Sequence, residues 1–391
     1  MTSLISRIAR IGLLAAGVAL FVPQALASSV TGNESFGPLV PPSPPLPAVG
    51  SYVLMDFGSG QVLAEKDDQV HAAPASLTKL MVAYLTYQAI QHRMLSMDQT
   101  VPVSTAAWHT PGSRMFIQPG LAVNVNQLLH GLIIDSGNDA AVALAQAVAG
   151  SRTAFVDLMN ETARRLGMSD THYVNVTGLP APTLYTSALD VARLSRDLIQ
   201  NYPQILTVSS RKFYTYNKIK QPTWNPVLFR DPTADGLKTG LTDASGYCID
   251  ATAVRHGRRL IAVVMHGPSW KKSTSGVESL LDYGMRFFKN RTFYGDSTPV
   301  VTLTRVDLNP LHLPVGTGHP VTVTVPRGSG LKIHWYLDPG LPRTVSTGQT
   351  IGHLTFTAAG QVLKTVPLIA LKPAREAGTI DELWNRLRLA V

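Results

Sequence analysis

Between Ser51 and Asn290 the sequence changes period three times, and the order of those changes constrains the fold more than any other feature. Two alternating runs, Tyr52–Asp56 and Gln61–Glu65, flank Gly58-Ser59-Gly60 and read as a hairpin. Helical patterns follow. The first is an apolar run, Leu80–Leu85, entered through Pro74 and Ser76, which suit a helix start. Others fall at Val125–Ile134, Ala140–Val148, Ala154–Leu166 and Ala188–Asn201. Strand-like runs then take over at Lys212–Tyr216, Gly236–Leu241, Tyr247–Val254 and Leu260–His266, the last two forming a hairpin across His256-Gly257. A helix expected over Val277–Asn290, with Leu280, Leu281, Met285 and Phe288 as its apolar stripe, closes the block. Helices before and after one set of antiparallel strands define an α+β class, a sheet covered by helices.

Both ends of the chain have a different character. Residues 1–27 read as a secretory signal: Arg7 and Arg10, an apolar Ile11–Val22, and a small-residue site at Ala25-Leu26-Ala27. Residues 28–47 are rich in proline and read as an extended linker. The α+β unit is expected over residues 48–292. From about Phe293 short β-rich runs dominate, as in Val300–Leu303, Val321–Val325, Leu331–Tyr336, Ile351–Phe356 and Gln361–Leu371. They predict a small β-sandwich over residues 293–375. Residues 376–391 end the chain as a helix opened by the capping-box pattern Thr379-Ile380-Asp381-Glu382. Ile380, Leu383, Trp384, Leu387 and Val391 share one face of it. That face either lies on a membrane surface, the reading favoured by Trp384 among leucines and arginines, or packs on its own β domain.

Composition removes several classes of function. The chain has 391 residues, 45% of them hydrophobic and 15% charged, which suits large packed cores. Its formal net charge is +9, yet no run of five or six basic residues occurs, so no nucleic-acid partner is expected. A basic surface also suits anionic membranes and cell walls. The single cysteine, Cys248, excludes an intrachain disulfide and reads as a quiet core thiol. His312, His319, His334 and His353 lack metal-ligand spacing, and no metal or cofactor is expected.

Chemistry concentrates in three short motifs. Ser76-Leu77-Thr78-Lys79 would place the Ser76 hydroxyl and the Lys79 amine on one helix face. A serine needs a base to become a nucleophile, and a lysine serves only if burial lowers its pKa. The same spacing recurs at Ser209/Lys212, Ser269/Lys272 and Ser329/Lys332, so spacing alone selects nothing. Ser136-Gly137-Asn138 lies between two helices and, taken alone, reads as a cap in which Ser136, Asn138 or Asp139 satisfies the second helix. Lys238-Thr239-Gly240, followed by Leu241, lies in a strand.

The ordered set of three resembles the signature of penicillin-binding proteins and serine beta-lactamases. Adding the export signal, the β-rich unit and the amphipathic tail, nearly the whole chain resembles the D-alanyl-D-alanine carboxypeptidases, the low-molecular-weight penicillin-binding proteins. Ser113–Phe116, Gly178-Leu179 and Gly284–Phe288 are further stretches of likeness. The resemblance implies a beta-lactamase/transpeptidase-like domain. It also implies roles: Ser76 as nucleophile, Lys79 as its base, Ser136 as proton relay, and Asn138, Lys238, Thr239, Gly240 and Leu241 as substrate-binding positions. The implied partners are peptidoglycan stem peptides and, as covalent inhibitors, β-lactams. The implied place is the periplasm or cell envelope, on the outer face of the cytoplasmic membrane, with residues 379–391 as the contact. Leu241 stands where many relatives have His, and Pro268 where many have Arg. Alternatives are an endopeptidase or beta-lactamase of the same fold, or a weakly active wall-binding relative. No glutamate suited to activating a beta-lactamase's deacylating water is evident, since Glu161 falls in a helix-like stretch.

Overall fold

The N-terminal hairpin, β1 (Ser51–Asp56) and β2 (Val62–Lys66), does not stand apart but joins the later strands in one sheet. Those strands are β5 (Ala234–Thr242), β6 (Gly246–Arg255) and β7 (Arg258–Gly267), and the order across the sheet is β2-β1-β7-β6-β5. The computed structural model describes residues 41–390. The expected export signal, the start of the proline-rich stretch and Val391 lie outside the described residues. β1 pairs antiparallel with β7, from Ser51 opposite Met265 to Asp56 opposite Leu260. β5 therefore forms one open edge.

The period-two alternation of these strands feeds two cores. Val53, Met55, Ile261, Val263 and Met265 face the helical block. Tyr52, Leu54, Leu260, Ala262 and Val264 face the opposite layer. The helical block contains α1 (Lys79–Gln91), α2 (Val125–Ile133), α3 (Asn138–Ala149), α4 (Arg152–Arg165) and α5 (Ala188–Asn201). α1 is buried on nearly every side from Lys79 to Tyr87, as expected of a helix apolar all round. Cys248 is buried in β6. The run at Lys212 forms its own small hairpin, β3 (Phe213–Tyr216) with β4 (Ile219–Pro222).

The opposite layer is α6 (Trp270–Phe287), which starts earlier and ends sooner than the expected Val277–Asn290. Ser269 sets the start by accepting from Lys272 N, and Phe288 is extended. Phe288 thus belongs to β8 (Phe288–Phe293), which pairs with β11 (Val321–Pro326) of the β-rich unit. The main sheet of that unit has the order β9-β10-β14-β13-β12, beside a short pairing of Leu308–Asn309 with Arg375–Glu376. These strands are β9 (Pro299–Thr304), β10 (His312–Gly316), β12 (Leu331–Leu337), β13 (Thr350–Ala358) and β14 (Gln361–Ala370). Val323, Val325, Leu354, Phe356 and Leu368 form its core. A polar joint links the two units. Buried Asp56 accepts from Ser59 N, Asn290 Nδ2 and Arg258 Nε, while Lys364 Nζ donates to the Ser59 and Thr322 carbonyls.

The chain's last helix, α7 (Thr379–Ala390), turns its polar side inward. Asn385 Nδ2 donates to the carbonyls of Val306 and Leu308, each at 3.0 Å. Glu382 N donates to the Gly378 carbonyl, so Gly378 takes the cap position expected of Thr379 and the helix begins at Thr379. Ile380, Leu383, Trp384 and Leu387 are exposed, at 74, 60, 59 and 50%. No helix among the described residues is long and apolar enough to cross a membrane.

Candidate active site

A single 3₁₀ turn, Ala75–Thr78, runs into α1 and carries Ser76. Lys79 is the first residue of α1 and is wholly buried. Its Nζ lies 2.8 Å from Ser76 Oγ and donates to the Thr177 carbonyl at 3.0 Å. Burial, and then the charge of Lys238, hold the Lys79 amine well below its ordinary value, against a smaller opposing pull from Asp139. A neutral amine in this position gives a hydrogen to Thr177 and turns its lone pair on the Ser76 hydroxyl. The Thr177 carbonyl reaches this turn because Gly178 is tight against it: a Cβ there would lie 1.7 Å from the Ala75 carbonyl oxygen.

The other Ser-x-x-Lys serines have backbone tasks. Ser209 Oγ donates to the Asp235 carbonyl, Ser269 caps α6, and Ser329 Oγ donates to the Pro326 carbonyl.

Ser136 sits between α2 and α3 with φ +57°, the left-handed region. Its carbonyl accepts from Ser113 Oγ at 2.7 Å, and the Asn138 N–H returns a bond to the Ser113 carbonyl at 2.7 Å. Asn138 Nδ2 donates to the Pro111 carbonyl at 2.6 Å, which leaves its buried Oδ1 without a partner among the described residues. Neither Ser136 nor Asn138 caps α3; Gly137 occupies the cap position, with no side-chain bond.

Asp139, read from sequence only as a candidate cap, organises this loop instead. Oδ1 accepts from the N–H of Met115 at 3.0 Å and of Ala140 at 2.9 Å; Oδ2 accepts from Phe116 at 2.9 Å and Ile117 at 3.2 Å. Its neighbour Asp135 is buried, and that burial, followed by the charge of Asp139, pushes its carboxyl up to about 8.

The third triplet lies on the edge strand β5. Lys238 is buried, its Nζ donates to the Thr239 carbonyl at 2.9 Å, and desolvation brings its amine down to about 7. Gly240 is the closest approach of β5 to the Ser76 turn. A Cβ there would meet Ala75 Cβ at 2.9 Å and Ser76 N at 3.0 Å. Together Ser76, Ser113, Ser136, Thr239, Gly240 and Leu241 line one cavity of about 240 Å³, with Trp224 and Trp270 at its walls. Lys79, Asn138 and Lys238 are buried behind that lining. The two tryptophans escaped the sequence reading; nothing in their local pattern marks them, because they arrive from a loop and from the first turn of α6. Leu241 is 44% exposed and offers an apolar side chain to the rim. Pro268 lies just after β7, and the exposed Lys271 and Lys272 beside it do not line the cavity.

A hydroxyl against a depressed buried amine, beside an open strand edge, defines the class of serine–lysine acyl-transfer enzymes. The comparisons make this specific. The sequence profile of the D-alanyl-D-alanine carboxypeptidases matches residues 40–269, and that of the C-terminal domain of penicillin-binding protein 5 matches residues 288–375. The chain is 36% identical over 385 residues to the D-alanyl-D-alanine carboxypeptidase DacC of Escherichia coli, covering 95% of this chain and 94% of that one. Its fold matches the crystal structure of penicillin-binding protein 5 from Haemophilus influenzae with a TM-score of 0.82 at 30% identity, covering 86% of this chain and all of the other. Penicillin-binding protein D2 of Listeria monocytogenes, solved with cefotaxime bound, matches 63% of this chain with a TM-score of 0.58 at 28% identity. The chain belongs to the D-alanyl-D-alanine carboxypeptidase family.

Proposed function

We propose that this carboxypeptidase removes the terminal D-alanine of peptidoglycan stem peptides through an acyl-enzyme on Ser76. The observation that carries the reading is the 2.8 Å approach of the buried Lys79 amine to Ser76 Oγ. Neutral Lys79 takes the hydroxyl proton as Oγ attacks the carbonyl carbon between the two D-alanines. The backbone N–H groups of Ser76 and Leu241 receive the oxyanion, and each such donor is worth about 3–4 kcal/mol. The peptide bond then breaks, and the proton passes from Lys79 through the Ser136 hydroxyl to the departing amine. Water hydrolyses the ester with Lys79 again as base.

Substrate is held by the edge of β5, to which an extended peptide adds as a strand. Lys238 and Thr239 receive the terminal carboxylate, Asn138 a substrate amide, and Gly240 keeps the edge clear. A β-lactam opens on Ser76 in the same way and leaves an ester that hydrolyses slowly, so penicillin inhibits.

The reading extends to location. Residues 1–27 act as a cleaved export signal and residues 28–47 as a spacer. Residues 48–292 and 293–375 work as catalytic and β units in the periplasm. The tail, 376–391, rests on the outer face of the cytoplasmic membrane. Its support is the exposed row Ile380, Leu383, Trp384 and Leu387 on a helix whose polar side is docked.

Release of free D-alanine from a peptide ending in D-alanyl-D-alanine tests the reaction. The wild type releases it and Ser76→Ala does not; equal release by both would remove Ser76 from its role.

A further inference from the structure

A second cavity, larger than the one at Ser76, opens where the α+β and β-rich units meet. It measures about 820 Å³. The turn between β6 and β7 contributes Arg255 and Arg258, the end of α6 Asp282 and Arg286, β8 Lys289, and the turn after β11 Arg327. Five cations thus face one carboxylate, with His256 exposed at the rim.

Part of that charge is already matched. Arg255 bonds Asp282 and, at 2.7 Å, Asp231; Arg258 bonds Asp56 at 2.8 Å. Arg286, Lys289 and Arg327 are exposed and form no ion pair among the described residues. Arg286 has a local reason to be where it is, at the negative end of a helix and over the Phe287 ring. Arg327 Nη2 donates to the Met285 carbonyl at that same helix end, at 3.4 Å, and Lys289 has no such contact among the described residues. The three come from separate elements, so the fold gathers them. Arg258, though paired with Asp56, keeps a buried Nη2 with no hydrogen-bond partner among the described residues; desolvation, and less strongly the charge of Arg327, lower its affinity for its own proton against the pull of Asp56. Like charges held together in a half-enclosed cleft repel, and an anion in the cleft would reverse the sign of that interaction.

The cleft is not a lobe of the catalytic site. Gly240 pairs with Cys248, and Arg255 lies further along the same strand, roughly 23 Å away at ~3.3 Å per residue. A stem peptide seated at Ser76 does not fill it.

We infer that this junction cleft binds an anion carrying two phosphoryl groups, held by Arg286, Lys289 and Arg327. Guanidinium forks match phosphate oxygens in pairs, and an ammonium adds a compact point charge. Three uncompensated cations suit a diphosphate better than a single carboxylate. Such a group can be a free diphosphate or the head of a diphosphatidyl lipid.

Titration calorimetry of the full chain with inorganic pyrophosphate at low ionic strength tests the site. One saturable site is expected, weakening as salt is raised because the cations are exposed. The combined Arg286→Ala, Lys289→Ala and Arg327→Ala variant should bind at least about tenfold more weakly, having lost three charge-assisted contacts. Its melting temperature and D-alanine release should be unchanged. Absence of saturable binding, or equal binding by the variant, would overturn the inference. Should the triple variant lose stability, Lys289→Gln alone must still weaken binding measurably, and equal affinity would again overturn it. The two sources are separated with cardiolipin vesicles in a Leu383→Glu, Leu387→Glu background, which removes the tail as a competing contact. Vesicle binding that depends on the three cations and is displaced by pyrophosphate assigns a lipid head. Pyrophosphate binding without vesicle binding assigns a free diphosphate.

Discussion

Asp139→Asn is the substitution that most sharply tests how the Ser136 loop is built. The carboxylate is fully buried and accepts four backbone N–H groups, two on each oxygen. An amide in the same place keeps one oxygen and turns its NH₂ on two of those donors, whichever way it is flipped. Two buried N–H groups left unmatched cost about 1–3 kcal/mol each, roughly 2–6 kcal/mol together. Removing the charge gives some of that back, because burial pushes the Asp139 carboxyl above its ordinary value despite the four bonds. A net loss of roughly 1–4 kcal/mol follows. The loss is aimed at function as well. Met115–Ile117 continue from Ser113, whose hydroxyl and carbonyl hold the Ser136 carbonyl and the Asn138 N–H. Urea denaturation followed by fluorescence reads the stability, and the acylation rate with a fluorescent penicillin reads the site. Both should fall, acylation by about tenfold or more if the loop shifts even ~1 Å. A variant within about 0.5 kcal/mol of wild type that acylates at the same rate would refute the role given to Asp139.

The pH profile should separate the two lysines. In the proposed mechanism Lys79 works as the neutral amine, so activity should rise with pH through its depressed pKa. Lys238 would work as the cation, and kcat/KM should fall as pH rises through its free-enzyme value of about 7. A bound carboxylate keeps that charge, so the fall should appear in KM more than in kcat. Lys238→Arg, always charged, should shift the alkaline limb upward; an unmoved limb would remove Lys238 from carboxylate binding. Both amines titrate lower when folded than unfolded, so they cost stability below the unfolded lysine value of about 10.4. For Lys238 the cost disappears as pH rises from about 7 toward that value, and for Lys79 as pH rises from its own depressed value. At the tail, Leu383→Glu with Leu387→Glu should release the protein from phosphatidylglycerol vesicles free of cardiolipin and leave hydrolysis of a soluble peptide intact, since both residues are exposed. Retention on those vesicles would sink the membrane contact of the tail.

Local pattern was enough for most helices and strands of the α+β unit, because their periods are set by which face is buried, but not for the bounds of α6 or for β4. Strand order was not local. β1 pairs with β7 across some 200 residues, and no run of alternating residues says which later strand will accept it. The end of α6 was misjudged because Phe288 suits a helix stripe and a strand equally well, and its pairing with Pro326 decides between them. Among the site residues, Ser76 and Lys79 were legible as a spacing of three on one face. Ser136, Asn138 and Lys238–Leu241 were legible only through family likeness, since each alone reads as a cap or a strand. Asp139 and the walls Trp224 and Trp270 needed coordinates. Met115–Ile117, which Asp139 holds, lie 22–24 residues back, and both tryptophans share their cavity with Ser76, Ser113 and Ser136 from far earlier in the chain, where sequence carries no signal of contact. The same holds for α7, whose exposed apolar row follows from Asn385 bonding a carbonyl 79 residues back.

The central claim is that Ser76, and none of the other serines near lysine, forms the covalent bond. Peptide mapping by mass spectrometry after brief exposure to penicillin tests it most directly. The account predicts one added penicilloyl group, on the peptide containing Ser76, absent from Ser76→Ala and slowed severely in Lys79→Ala. An adduct on Ser136, Ser209, Ser269 or Ser329, or one that persists in Ser76→Ala, would contradict it.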